Sequence, residues 1–278
     1  MKRLAALLLV LVPLTSFAQD RASSHPYFDN KYFASVGLFK PDRKVRLGLD
    51  ASVDIPDPGP ATHVDFSETL DVESSDETFS AEIGWRFGEK WQLRGQYFQV
   101  DDKNRASLDE DVEWGDYVFN AGTSVGAGSD IQITRLFFGR TFWLTENREF
   151  GLGLGGHLLD LSAYVNGNAT INGVDVGFVQ ERASVTAPLP NIGGWFMRSW
   201  SERWAARVRL DWLAADVGRY DGHIINASAS VGYAIGDHFG MALAYNYFEI
   251  DLGIDDPDWR GSARSRYEGP YLSLTGYW

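Results

Sequence analysis

A chain of 278 residues with 14% aromatics and 29 glycines suits one large β domain, or two small ones, better than a helical domain. Its formal net charge of −13 argues against nucleic acid as a partner. The absence of cysteine excludes disulfides, thiol catalysis and thiolate metal sites.

The front of the chain reads as a secretory leader. Lys2 and Arg3 supply the positive start, residues 4–14 the apolar stretch, and Ser16-Phe17-Ala18 a small-x-small cleavage site, so residues 1–18 are expected to be removed. The apolar stretch falls short of the roughly 20 residues that a spanning helix needs. Residues 19–30 read as a short, loose periplasmic lead, and residues 31–278 as a single β domain.

Within that domain, side chains alternate with period 2, as on strands. In residues 31–49, Val36 and Leu38 oppose Ser35 and Gly37, and Pro41 predicts a bulge or kink. Residues 78–87 set Phe79, Ala81, Ile83, Trp85 and Phe87 against Ser80, Glu82, Gly84 and Arg86. After a tight turn at Gly88, residues 91–100 return with Trp91, Leu93, Gly95 and Tyr97 opposite Gln92, Arg94 and Gln96. Residues 130–144 carry Leu136, Phe138, Phe142 and Leu144 on one face, joined there by Arg140. Residues 149–164 place Phe150, Leu152, Leu154 and Leu158 opposite Gly151, Gly153, Gly155 and His157.

Residues 183–198 should form a strand by position, although Pro188 and Pro190 disturb it. Residues 204–213 alternate strongly, Trp204, Ala206, Val208, Leu210 and Trp212 against Arg207, Arg209 and Asp211. Residues 223–235 and 239–250 follow with Ile225, Val231 and Tyr233, then Phe239, Met241, Leu243, Tyr245 and Tyr247, each on one face. The last strand, 263–278, puts Leu272, Leu274, Gly276 and Trp278 opposite Tyr271, Ser273, Thr275 and Tyr277.

Connections around Glu89, Asn147, Ser201 and Asp237 are short, whereas residues 50–77, 101–129, 165–182, 214–222 and 251–262 read as longer loops. The two classes alternate strictly. That predicts an all-β, up-and-down antiparallel barrel of about ten strands, or eight or twelve if the first segment and the proline-bearing one pair differently.

Charges sit mid-strand, opposite faces that are almost wholly apolar. Trp85, Phe87, Trp91, Trp143, Phe150, Trp195, Trp200, Trp204 and Phe239 flank the short turns and would form one interfacial ring; Tyr97, Tyr164, Trp212, Tyr247 and Tyr271 would form a second. This predicts a transmembrane barrel with apolar residues facing lipid, since a closed barrel satisfies every backbone group there. The alternative is a soluble calyx with its apolar side chains inside.

With its leader, alternating turns, aromatic rings and terminal strand, the chain resembles the small bacterial outer-membrane β-barrels, the OmpA type in its broad sense. The terminal strand resembles the closing strand and insertion signal of those proteins, with Trp278 where Phe is usual. The resemblance implies residence in the outer membrane as a monomer, with membrane lipid and lipopolysaccharide as neighbours and the barrel-assembly machinery as the reader of the terminal strand.

Three functional readings follow. Glu82, Arg86, Arg94, Arg135, Arg207, Arg209 and Asp211 form a candidate lumen charge network, either filling the interior or lining a narrow channel for small polar solutes. A filled interior with a structural or surface-binding role is the leading expectation, because a barrel of this size has little bore to spare. The acidic runs Asp101, Asp102, Asp109, Glu110, Asp111, Glu113 and Asp116, and Asp255, Asp256 and Asp258, would form a solvated external surface or bind divalent cations that bridge lipopolysaccharide. A lipid-modifying or proteolytic barrel enzyme would need a His with a carboxylate near the outer rim. His223 beside Asp221 is the candidate there, and His157 with Asp160 a weaker one in the lumen. No catalytic residue, cofactor or metal ligand is assigned from these patterns.

Overall fold

The computed structural model describes residues 25–49, 64–65, 78–88, 90–109, 111–256 and 259–278. The predicted leader and residues 19–24 of the predicted lead lie outside these, as does most of the predicted loop 50–77. Helix α1 spans Pro26–Asp29. Fourteen strands follow among the described residues: β1 Tyr32–Phe39, β2 Asp42–Leu49, β3 Val64–Asp65, β4 Thr78–Phe87, β5 Trp91–Ser107, β6 Val112–Trp114, β7 Tyr117–Phe119, β8 Ser124–Leu144, β9 Arg148–Ile171, β10 Val174–Ser199, β11 Trp204–Val217, β12 Tyr220–Ala234, β13 Phe239–Asp256 and β14 Trp259–Tyr277.

Ten of them, β1, β4, β5 and β8 to β14, pair antiparallel with their neighbours, and β1 closes on β14 from Phe33↔Tyr277 to Phe39↔Tyr271. Closure pairs the first and last strands and so removes the two edges that an open sheet would leave. No helix among the described residues is long and apolar enough to cross a membrane, which says nothing of a barrel, since a barrel crosses with strands.

The expected kink at Pro41 is real. Strands β1 and β2 are one line of chain broken at residues 40–41, and both pair with β14, the upper half through Asp42↔Glu268 to Leu49↔Gly261. The bulge presses on Gly269, where an added Cβ would meet the Lys40 carbonyl oxygen at 2.4 Å. The Pro188–Pro190 segment is likewise a strand. Its ladder to β9 runs through both prolines, while the ladder to β11 is found only from Ile192↔Trp212 downward. Prolines two residues apart present their nitrogens to the same edge, here the edge on which no partner strand awaits a donor.

The orientation matches the transmembrane prediction. On β11, Val208 is 52% exposed and Arg209 only 7%, with Trp204, Leu210 and Trp212 exposed and Asp211 buried. The same holds for Ile83 and Phe79 on β4, Leu136 and Phe138 on β8, Leu152 and Leu154 on β9, and Leu272 and Leu274 on β14. Arg140, the exception in its apolar face, lies outside at the short-turn end. Its guanidinium sits 5.4 Å from the Trp91 ring and 5.6 Å from that of Phe142, where a long cationic side chain can reach water.

The longer connections differ most from the prediction. Residues 165–182 are the top of one long hairpin, turned through Asn172 (φ 50°) and Gly173 (φ 77°), the positive-φ pair that a two-residue hairpin turn requires. Residues 214–222 are the ends of β11 and β12 around a two-residue turn, and β13 and β14 extend to Asp256 and from Trp259. The supposed loop 101–129 is the top of β5, the β6–β7 hairpin and the top of β8.

In these extensions the pattern inverts. Val125, Ile131, Ile133, Leu159, Leu161, Val165, Val185, Leu189, Ile250, Leu252 and Ile254 point inward into a continuous apolar core. Charged side chains stand outside: Arg266 bonds Glu249 at 2.6 Å, and Arg264 and Asp251 form an exposed pair beside them. The barrel is therefore apolar-out around its lower half and apolar-in around its upper half. The change of phase is written in adjacent apolar residues, Leu158-Leu159, Tyr247-Phe248 and Ile224-Ile225, of which the first or second faces the core. It marks the level at which lipid gives way to water on the outer wall.

Candidate functional site

Strands alternate their side chains, so one face of each lower strand contributes to the interior. All seven residues of the predicted charge network face it, and they separate into distinct clusters. Glu82 lies between Arg94 (Nη1–Oε1 3.1 Å) and Arg207 (Nη2–Oε1 3.4 Å). Asp211 lies between Arg135 (Nη2 donating to Oδ1, 2.8 Å) and Arg209 (Nε–Oδ2 4.0 Å). Each is an Arg–carboxylate–Arg triad with one positive charge in excess.

Arg86 pairs instead with Glu149, at 2.7 Å, a residue that the strand pattern placed at an end and so left out of the network. Glu149 is the most heavily bonded carboxylate of the lower interior. Its Oε1 accepts from Thr141 Oγ1 at 2.9 Å, Trp195 Nε1 at 2.9 Å and Gln92 Nε2 at 3.4 Å. Trp195 is thus not part of the interfacial ring, as its position beside a short turn suggested; it is 3% exposed and inside. Its indole and the Phe137 ring fill space that glycines leave, since a Cβ at Gly151 would come within 2.1 Å of Trp195 and one at Gly153 within 2.7 Å of Phe137. Tyr271 also leaves the second ring: it shares the inward face of Ser273 and packs against the upper core.

The lead is docked, at least from residue 25 on, where a loose segment was expected. Pro26 opens α1, and Tyr27 is buried in the short-turn mouth. The Tyr27 hydroxyl accepts from Arg94, and the Arg86 guanidinium lies 4.5 Å from its ring centroid. Met197 and Ala205 complete the contact. A void beside this plug, between Tyr27, Arg86, Gln92 and Tyr277, measures about 10 Å³, the room of one water.

His25 is held by the same closure. Its Nδ1 accepts from the Tyr27 backbone N–H at 3.3 Å, and its ring meets Tyr277 edge-on. Burial lowers its pKa from 6.5 to about 4, against a smaller opposite pull from Asp29. A histidine whose folded pKa is depressed binds fewer protons folded than unfolded between those values, so docking is strongest above about pH 6.5 and weakens as pH falls toward 4. An NMR titration of the His25 imidazole should show a midpoint near 4; a midpoint near 6.5 would mean the plug is not seated.

The other mouth is closed by the β6–β7 hairpin, whose Trp114 and Phe119 are both fully buried. Gly115 N–H donates to the Leu49 carbonyl at 3.1 Å, and Val118 pairs with Thr170 of β9. The acidic residues read as a loop are dispersed over this structure. Asp101 pairs with Lys103 at 3.0 Å, Asp111 accepts from the Ala121 N–H at 2.7 Å, and Asp256 pairs with Arg219 at 3.1 Å. Glu110 and Asp258 lie outside the described residues. No group of three or more His, Asp or Glu able to hold a metal ion occurs among the described residues.

Neither His–carboxylate pair forms as expected. His223 bonds Glu249 at 3.2 Å on the outer wall, and no bond to Asp221 is found. His157 faces inward, while Asp160, three residues on, faces outward and accepts from Thr186 at 2.6 Å.

This architecture has a solved counterpart. The crystal structure of the outer membrane protease OmpT from Escherichia coli superposes with a TM-score of 0.57 at 11% identity, over 93% of this chain and 99% of that one. The fold is that of a bacterial outer-membrane β-barrel. A Pseudomonas aeruginosa FadL homologue (TM-score 0.37, 11% identity, 91% of each chain) and the Yersinia pestis attachment invasion locus protein Ail (0.31, 10%, 89% and 97%) superpose too loosely to bear on the architecture. No family model and no curated protein sequence matches. The four short turns and α1 lie at one end of the barrel and the long hairpins at the other, and its lower, apolar-out half is the part in lipid.

Proposed function

We propose that the barrel is a closed, non-conducting component of the outer membrane whose external half serves a structural or surface-binding role. The observation that carries this is occupancy of the interior: Tyr27 and α1 at the short-turn mouth, the arginine–carboxylate clusters in the lower half, and an apolar core capped by Trp114 and Phe119 above. A channel would need the apolar core and its cap to part, since ions do not cross a packed hydrocarbon layer. The enzyme alternative would rest on the His223–Glu249 pair of the outer wall, whose carboxylate Arg266 and Tyr247 already hold, since Asp160 is turned away from His157. Lys44 and Arg266, exposed cross-strand neighbours just above the lipid-facing band, favour a phosphate-bearing lipid, such as lipopolysaccharide, as the lateral neighbour of a monomeric barrel. The terminal strand remains the feature that the assembly machinery would read.

Planar-bilayer recording tests the closed reading. The purified, refolded barrel should give a silent trace at high salt. Stable step conductances, abolished by Arg209→Ala or enlarged by Trp114→Gly, would replace it with the channel.

A further inference from the structure

The upper triad is surrounded by hydrogen-bond donors with nowhere to donate. Arg135, Arg209, His157, Asn191 and Asp211 are each at most 7% exposed. Arg135 Nη1, Arg209 Nε and both side-chain polar atoms of Asn191 lack hydrogen-bond partners. Arg135 Nε and Asp211 Oδ2 lie 2.8 Å apart as an ion pair, though without an aligned hydrogen bond.

His157 adds another donor, by elimination. Arg209 Nη2 can only donate, and it donates to Asn226 Oδ1 at 3.1 Å. Asn226 Nδ2 is therefore a donor, and its contact at 3.3 Å makes His157 Nε2 the acceptor. The proton of neutral His157 is then on Nδ1, which is buried and has no partner. The register ties these groups to one place: Arg135 faces His157 directly across β8 and β9, and Asn191 stands opposite Gly155 beside it.

Arg135 Nη1, Arg209 Nε, His157 Nδ1 and Asn191 Nδ2 thus offer four donors against two acceptors without a hydrogen bond, Asn191 Oδ1 and Asp211 Oδ2, the second already held in the ion pair with Arg135 Nε. The triad also carries one positive charge more than Asp211 balances. A buried charge left uncompensated costs several kcal/mol. Water accepts two hydrogen bonds but must donate two as well, and it brings no charge. A guest that only accepts, and is negative, meets both deficits at once.

We propose that the barrel binds a small inorganic anion of halide size at membrane level, between Arg135, Arg209, His157 and Asn191. Phe137, whose ring takes the Arg135 guanidinium at 4.4 Å, and Phe248, whose ring centroid is 6.4 Å from that of His157, bound the cluster with apolar surface and favour a weakly hydrated ion. The site serves as an internal counter-ion, holding the arginines of neighbouring strands together as the wall closes.

The folded barrel in detergent should melt at a temperature that rises and then saturates with sodium bromide, compared with sodium gluconate at equal ionic strength. At ten times its dissociation constant, one bound ion multiplies the folding equilibrium constant by about 11. Arg135→Met and His157→Phe should each remove the halide dependence. Should those variants not fold, crystals of the native barrel grown in bromide should show an anomalous peak within hydrogen-bond distance of Arg135 Nη1 and His157 Nδ1. Coincident melting curves in the two salts, a bromide peak elsewhere, or water alone at the cluster would overturn the assignment.

Discussion

Glu149→Gln will destabilise the barrel by about 3–5 kcal/mol, the cost of removing one partner of a buried ion pair while the other stays. Glu149 is 1% exposed and Arg86 nearby is largely enclosed, so the arginine cannot turn to water when its partner loses charge. Glutamine keeps the shape and one carbonyl acceptor for Thr141, Trp195 and Gln92, which isolates charge from packing. The same change at exposed Glu146, in the adjacent short turn between β8 and β9, should cost close to nothing. Urea titrations of the barrel folded into lipid vesicles measure both. A Glu149→Gln barrel within about 1 kcal/mol of native would show that the network fills space without bearing on stability. Tyr27 stacks on Arg86, so the variant should also loosen α1 and raise exchange of the amides that follow His25.

The second large effect is positional. Val208 lies midway between Trp204 and Trp212 on the outward face of β11 and is half exposed. In a soluble barrel an arginine there would be harmless. In lipid, at the midplane of a barrel wall, Val208→Arg should cost about 2–4 kcal/mol. Ser184 is also outward and exposed, but it lies on β10 above the change of phase, opposite Ser162. Ser184→Arg should cost less than about 1 kcal/mol. The ratio of the two, measured in vesicles, reads where the bilayer surface crosses the wall. Equal costs would mean that the lower half does not stand in lipid.

Much of the lower barrel is legible in the sequence because its signals are local. Alternation along Phe79–Phe87 or Trp204–Trp212 assigns each side chain a face without knowledge of its neighbours. The short turns fix the direction of each strand, and the resulting order is the one observed. Even Arg140 was visible as a lone charge on an apolar face.

The upper half was not legible in the same way. Its strands continue past the point at which alternation changes phase, and a residue count that expects one apolar face per strand ends there and reads loop. The doublets Leu158-Leu159 and Tyr247-Phe248 carried the information, but an adjacent apolar pair has two meanings until one knows what lies outside each half of the wall. Asn172-Gly173 was the local turn signal within the supposed loop 165–182, and it is where the chain turns.

The sequence by itself determined which side chains share a strand face, including that of the last strand over residues 263–278, and that the mid-strand arginines and carboxylates must collect on the side away from lipid. Those follow from backbone periodicity and the cost of charge in hydrocarbon, both of which act residue by residue. Only the tertiary structure decided which charges meet. Glu149 is 63 residues from Arg86, and Arg135 is 76 from Asp211, and nothing along the chain records the register that brings them within 2.8 Å. It likewise decided that Tyr27 plugs one mouth and Trp114 the other, because burial inside a closed wall is a property of the whole ring and belongs to no single strand.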